Sequence, residues 1–228
     1  MKHPLLQLGA ALLLVVSSSP CQNPLSAQTS EEKESKHLLW LIPNYGTSPV
    51  LADFHPLTTG QKFQLAGQDS WDRSTVALSA VSAGQAQLSN SNRSFGQGAT
   101  GYARYLGTAY GDSVIGNYMT EALFPTFLRQ DPRYFRRGTG SRWSRLGYAF
   151  SQTFVTHGDS GRLQPNYSEW FGNATAVAIS NAYYPDKRSA RDGMTKLGMQ
   201  VGFDAAANIL KEFCPDIRRR FRRKNHTD

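Results

Sequence analysis

The side chains best suited to chemistry are concentrated in one stretch, residues 129–145. It holds Arg129, Asp131, Arg133, Tyr134, Phe135, Arg136, Arg137, Arg142, Trp143 and Arg145. Guanidinium groups fork onto phosphate, sulfate or carboxylate oxygens, and flanking aromatic rings suit the boundary of a head-group layer. This composition predicts that Arg133, Tyr134, Arg136, Arg137, Arg142, Trp143 and Arg145 meet an anionic surface, either lipid or polysaccharide. The competing expectation is a solvated turn whose arginines pair with Asp131 and other acids. A second basic run closes the chain, with Arg218, Arg219, Arg220, Arg222 and Arg223 around Phe221 and before Lys224. Basic runs beside an amphipathic helix gain about 1 kcal/mol per charge near an anionic membrane. It is expected either to act as a second contact or to remain a solvated tail without a fixed partner.

Catalytic signatures are weaker. His157-Gly158-Asp159-Ser160-Gly161 puts three catalytic residue types in one loop, but functional triads converge from separate elements and are recognised by geometry rather than adjacency. Asp-Ser-Gly also occurs in aspartic proteases, whose chemistry needs a second carboxylate loop on a β-rich fold, and neither is legible here. The expected role of this loop is a glycine-rich turn. Glu121 and Glu169 read as a helix-face and a capping carboxylate. His37, His55, His157 and His226 are scattered with no pair at helical spacing and no cysteine cluster, so neither a metal nor a cofactor is expected.

The clearest periodicity is one of small residues. Ala103, Gly107 and Gly111 form one row at spacing four, Gly172, Ala176 and Ser180 a second, and Gly198, Gly202 and Ala206 a third. Residues four apart stack along a helix, and each helical glycine costs about 0.8–1.0 kcal/mol relative to alanine. Close helix packing is the gain expected to offset that cost. A membrane-inserted or membrane-lying bundle and a ligand groove are the alternatives.

The elements that must carry these residues read as helices. Thr58 or Thr59 caps a short helix with Phe63 and Leu65, and Asp72 caps one over about 73–89 with Val76, Ala80, Ala83 and Leu88. The longest spans about 98–123 and ends before Pro125, because the residue before proline disfavours helical angles. Asp131-Pro132 looks like a cap and first helical position for a turn through Phe135. Further helices are expected over about 141–156, from the Asn166–Glu169 capping box to Tyr183, and from Ser189–Asp192 onward, with Met194, Leu197, Val201, Ala205 and Ile209 on one face. Leu38–Ile42 is apolar but has no strand-like partner run, so it is expected as an extended segment laid on a helical core. The fold class is all-α, a single bundle of about six helices over 37–215, followed by a basic tail over 216–228.

Residues 1–27 have the form of a cleavable secretory signal: Lys2 and His3, then an apolar run from Leu5 to Val16, then a small polar stretch. Cleavage is expected after Ala27, with cuts after Ser18 or Ser19, lipidation of Cys21 and an uncleaved anchor as alternatives. Residues 28–36 carry no apolar anchor and read as a disordered leader. After such cleavage Cys214 is the one remaining cysteine, so disulfides do not hold the fold. Four Asn-x-Ser/Thr sites occur, at Asn92, Asn166, Asn173 and Asn225. The chain carries 25 Lys+Arg against 17 Asp+Glu, a net charge of +8, and so favours anionic neighbours. For an exported chain these are envelope lipids or sugars rather than nucleic acid.

Four segments, Ser94–Gly98, Ile115–Ala122, Gln130-Asp131-Pro132-Arg133-Tyr134-Phe135 and Ile179–Pro185, together resemble a family of exported bacterial proteins of acidobacterial type. The likeness spans about 40–215 and implies a bacterial envelope setting, but no activity and no residue role. The function expected is a structural or interaction role in the periplasm or at the outer membrane, peripherally attached to anionic membrane surface. A homo-oligomer or an envelope protein partner fits the same reading. The alternatives are an envelope hydrolase using Asp159, His157 or Glu121, and a small-molecule carrier.

Overall fold

The computed structural model describes His37–Leu38, Ile42–Pro43, Thr47–Ser48, residues 54–186 and residues 189–224. The side chains of residues 218–224 are outside that description, as are residues 1–36, on which the expected signal and leader fall, and Asn225. Six helices form the body: α1 (Thr59–Ser70), α2 (Arg73–Leu88), α3 (Gly98–Asn117), α4 (Arg142–Ser151), α5 (Tyr167–Tyr183) and α6 (Ala190–Lys224). The all-α bundle is the fold. Three two-stranded pieces accompany it: β1 (His37–Leu38) antiparallel to β2 (Ile42–Pro43), β3 (Thr47–Ser48) parallel to β4 (Tyr134–Phe135), and β5 (Val155–His157) antiparallel to β6 (Leu163–Pro165).

Local chemistry explains the helix starts. Thr58 and Gln61 form a reciprocal capping box on α1, and Asp72 accepts from Ser74 N–H at the head of α2. Ser141 accepts from Ser144 N–H on α4, Asn166 from Glu169 N–H on α5, and Ser189 with Asp192 makes a second reciprocal box on α6. The end of the helix expected to be the longest departs from expectation, and α6, at 35 residues, is the longest described helix. The chain does not stop before Pro125: α3 passes into a π-helical turn, Tyr118–Leu123, and then a helical turn, Phe124–Phe127, that contains the proline. Wider π spacing alters the ladder just where Pro125 supplies no N–H, so the chain continues through it.

Two further expectations are corrected. Asp131-Pro132 does not open a helix, because the Asp131 carboxylate bonds Arg133 and the next residues pair as β4 with Thr47–Ser48. The helix expected over 141–156 ends at Ser151, and Val155–His157 is a strand. The 215/216 boundary is crossed by α6, which runs through Pro215 to Lys224.

The interior is unusual. Among the described residues 18 polar or charged residues are buried against 13 apolar ones, and six of the thirteen are alanines. Large apolar side chains are more often outside, with 20 of them exposed. Of the three small-residue rows, only that of Gly172, Ala176 and Ser180 is a helix contact. A Cβ at Gly172 would lie 2.9 Å from Thr120 and 3.1 Å from the Met119 backbone, and Ala176 and Ser180 are buried. Gly107, Gly198 and Gly202 face open space, Ala103 is exposed, Ala206 is half-buried, and Gly111 only grazes the Tyr183 hydroxyl at 4.0 Å. The inner face of α3 is instead Gly101, Tyr105 and Gly116; a Cβ at Gly101 would strike the Gly96 carbonyl oxygen at 2.4 Å.

Candidate binding surface

The arginine cluster turns inward. Its centre is Glu212 on α6, 0% exposed, a residue that sequence reasoning missed. One carboxylate oxygen accepts from Arg145 Nε at 2.7 Å and Gly138 N–H at 2.9 Å; the other accepts from the Tyr134 hydroxyl at 2.9 Å and Arg137 N–H at 3.0 Å. Arg145 also bonds the Glu212 carbonyl and Asp216, lies 4.6 Å from the Phe213 ring centre, and is only 7% exposed. Burial pulls its pKa down, and the bonds to Glu212 and Asp216 more than offset that pull. Tyr134 is pushed up, by burial first and then by the Glu212 charge. Arg136 bonds Asp216 and the Glu212 carbonyl, and Arg133 forks onto Asp131 at 2.6–2.9 Å. The expectation that Arg133, Tyr134, Arg136 and Arg145 meet an outside anion is therefore corrected. They pair with internal acids, since a buried guanidinium without a carboxylate would be prohibitively costly. Arg137 and Arg142 stay exposed with Trp143, which is 81% exposed.

What faces outward beside them is aromatic. Phe150 and Phe154 lie 5.5 Å apart, Phe154 and Trp170 5.7 Å, Tyr167 and Phe171 6.1 Å, and Phe171 and Phe124 6.4 Å. All but Phe124 are exposed, as is Phe127 at the end of its turn. Trp143 and Phe150 sit seven residues apart, on one side of α4. Within 127–171 the acids are Asp131, Asp159 and Glu169, and none is exposed, whereas Arg129, Arg137, Arg142 and Arg162 all are. Tyr167, Trp170 and Phe171 are not among the residues singled out from the sequence, although their spacing of three and four is the signal of a shared helical face. Between α4 and α6 a cleft of ≈ 380 Å³ is lined by Arg142, Trp143, Leu146 and Phe213.

Buried carboxyls gather around the π turn. Glu121 on that turn faces Asp69 of α1, and Glu169 of α5 faces Asp204 of α6. Asn173 joins the second pair, donating to Glu169 at 3.1 Å and Asp204 at 3.0 Å. Burial, and then the neighbouring Asp69, holds the Glu121 pKa well above the usual carboxylate range; burial and Asp204 do the same to Glu169, and burial raises Asp204. The Lys211 charge opposes the shift at all three. No group of three or more metal-ligating side chains is arranged to hold an ion among the described residues.

The remaining polar sites are structural pins. In the 157–161 loop Asp159 is held by the buried Lys62 ammonium at 2.8 Å, which also donates to the Pro125 carbonyl. His157 is buried against Phe135, and desolvation lowers its pKa although the Asp131 charge opposes. Nothing joins His157, Asp159 and Ser160 into a relay. Asp112 of α3 accepts from Ser180, Tyr183 and Tyr184 of the α5 end and from Lys196 of α6, tying three helices. Asn92 and Asn173 are buried, so neither side chain can take a glycan in the folded chain.

Comparison of the chain with protein-family models, with curated proteins and with solved structures finds no match in any of the three. No helix among the described residues is long and apolar enough to cross a membrane.

Proposed function

We propose that this chain is an interaction or structural protein of the cell envelope that docks peripherally on an anionic membrane surface through its aromatic face. The observation that carries the reading is the row of exposed rings, Phe150, Phe154, Trp170, Tyr167 and Phe171, in a stretch, residues 127–171, whose exposed charges are all arginines. Large contiguous apolar patches on soluble proteins mark interaction sites. Aromatic rings with arginine are the composition of the membrane–water boundary, where rings enter the head-group layer and cations meet lipid phosphates. The contact differs from the one the sequence predicts: Arg129, Arg137, Arg142 and Arg162 serve it, while the inner arginines hold the fold. The envelope setting rests on the signal-like N-terminus.

Co-sedimentation with vesicles tests the reading, using the protein purified in the form its cell makes. Vesicles with phosphatidylglycerol should pellet it, vesicles of phosphatidylcholine alone should not, and binding should fall as salt rises from 0.05 to 0.5 M, roughly the range over which exposed charges become screened. Phe154→Ser with Phe171→Ser should weaken pelleting. Binding that is absent, or indifferent to both lipid charge and salt, overturns the proposal.

A further inference from the structure

The cleft between α4 and α6 has two unlike halves. Its floor is Leu146 and Phe213, and its rim is the exposed pair Arg142 and Trp143. No acid lines it. The neighbouring cations Arg136 and Arg145 are already matched by Asp216 and Glu212. The Arg142 guanidinium, in contrast, has no hydrogen bond or ion pair among the described residues. One turn beyond Phe213 on α6 come Asp216, which is already paired with Arg136 and Arg145, and the exposed Ile217.

A simple anion would satisfy Arg142 and leave Leu146 and Phe213 uncovered, and an apolar ligand would do the reverse. A molecule with an anionic head and an apolar body satisfies both. The volume of ≈ 380 Å³ lies within the usual range for small-molecule sites, about 300–1,000 Å³. We infer that this cleft receives a single anionic phospholipid, with Arg142 on the phosphate and Trp143, Leu146 and Phe213 against the glycerol and upper acyl carbons. The inference rests on the peripheral-docking reading and names the lipid class and the residues that select it. Trp143 and Phe150 share one side of α4, so a lipid seated here is continuous with the layer met by the aromatic row.

Titration with dihexanoyl phosphatidylglycerol below its micelle concentration, followed by calorimetry and tryptophan fluorescence, isolates the cleft from the wider surface. Expected is saturable binding of one lipid per chain, about tenfold tighter than for dihexanoyl phosphatidylcholine and about tenfold tighter than for glycerol phosphate, which lacks acyl chains. Arg142→Glu and Trp143→Ser, both at exposed positions that leave the fold intact, should each weaken it about tenfold, while Leu88→Ser, at an exposed position outside the cleft and the aromatic face, should leave it unchanged. Absent or non-saturable binding, equal affinity for the two lipids, or indifference to both cleft substitutions overturns the assignment. Anionic vesicles separate the two ideas. A double variant that pellets like the parent while the parent binds no monomeric lipid removes the cleft and leaves the docking surface standing. A parent that does not pellet removes the docking reading, and with it the inference that rests on it. A concentration-dependent dimer in sedimentation velocity that Trp143→Ser dissolves would give the cleft to a second copy of the chain, again overturning the lipid.

Discussion

Glu212 is the residue on which the segment 134–145 depends. Four donors meet its two oxygens, two of them backbone N–H groups and one the buried Arg145 guanidinium. Removing the charge while keeping the shape leaves that guanidinium short of its partner, the case in which a buried pair costs about 3–5 kcal/mol to break. Glu212→Gln should therefore lower the urea midpoint of unfolding by an amount corresponding to that range, and an unchanged midpoint would show the network to be incidental. Glu121 makes the opposite prediction. Its folded-state pKa lies above the unfolded one, because burial and Asp69 favour the protonated acid. Stability from that proton is fully present below the ordinary value of 4.5 and is lost as pH rises above it toward the folded value. The slope is at most about 1.4 kcal/mol per pH unit for each proton retained. Glu121→Gln carries no titrating proton, so its stability curve should be flatter between pH 5 and 8, and the variant should exceed the parent at pH 8. A parallel pair of curves would contradict the buried acid.

At the scale of the element, the glycine rows show what periodicity can and cannot say. The sequence marks three rows alike, yet only Gly172 has a neighbour's backbone against it, while Gly107 and Gly202 look into open space. Gly172→Ala should destabilise by about 1–3 kcal/mol, an overpacking cost. Gly107→Ala and Gly202→Ala should each stabilise by up to about 1 kcal/mol, the helix-propensity difference, and thermal unfolding of the three variants distinguishes these signs. Caps were legible because they are local: Thr58, Asp72, Asn166 and Ser189 each announce a helix within three residues. Which face of a helix is buried was not, since that depends on partners distant in sequence. In α2 the inner residues are Ser74, Thr75, Ser79 and Ala83, while Val76 and Leu88 lie outside. Asp131-Pro132 failed for the same reason: the distant Thr47–Ser48 strand pairs with the residues that follow it.

For the whole molecule, the balance of a polar interior and an apolar exterior is what the sequence concealed most completely. Average composition does not show it, because 39% hydrophobic residues is the same whichever way they point. The candidate site was half legible. The basic-aromatic stretch was found, but its inner arginines could be separated from its outer ones only once Glu212 and Asp216, about 70 residues downstream, were in place. If membrane contact is shared between the aromatic face and the basic end of α6, the two act on one chain and reinforce each other through effective concentration. Removing residues 217–228 should then weaken vesicle pelleting by more than the isolated peptide's own affinity accounts for. A loss no larger than the peptide's affinity would mean that the two regions act separately.

The π-helical turn at Tyr118–Leu123 has one more consequence. Such a turn is an α-helical segment with an extra amino acid looped into it, so it shifts the angular phase of everything downstream by about one residue's rotation, roughly 100°. Deleting a single codon there would let the ladder close into an uninterrupted α-helix. The helix would survive, but the Pro125 carbonyl would be carried away from the Lys62 ammonium that bonds it at 3.2 Å, and Glu121 would rotate away from Asp69. In this segment chain length is therefore as constrained as residue identity, and a one-residue gap there would be more damaging than most substitutions.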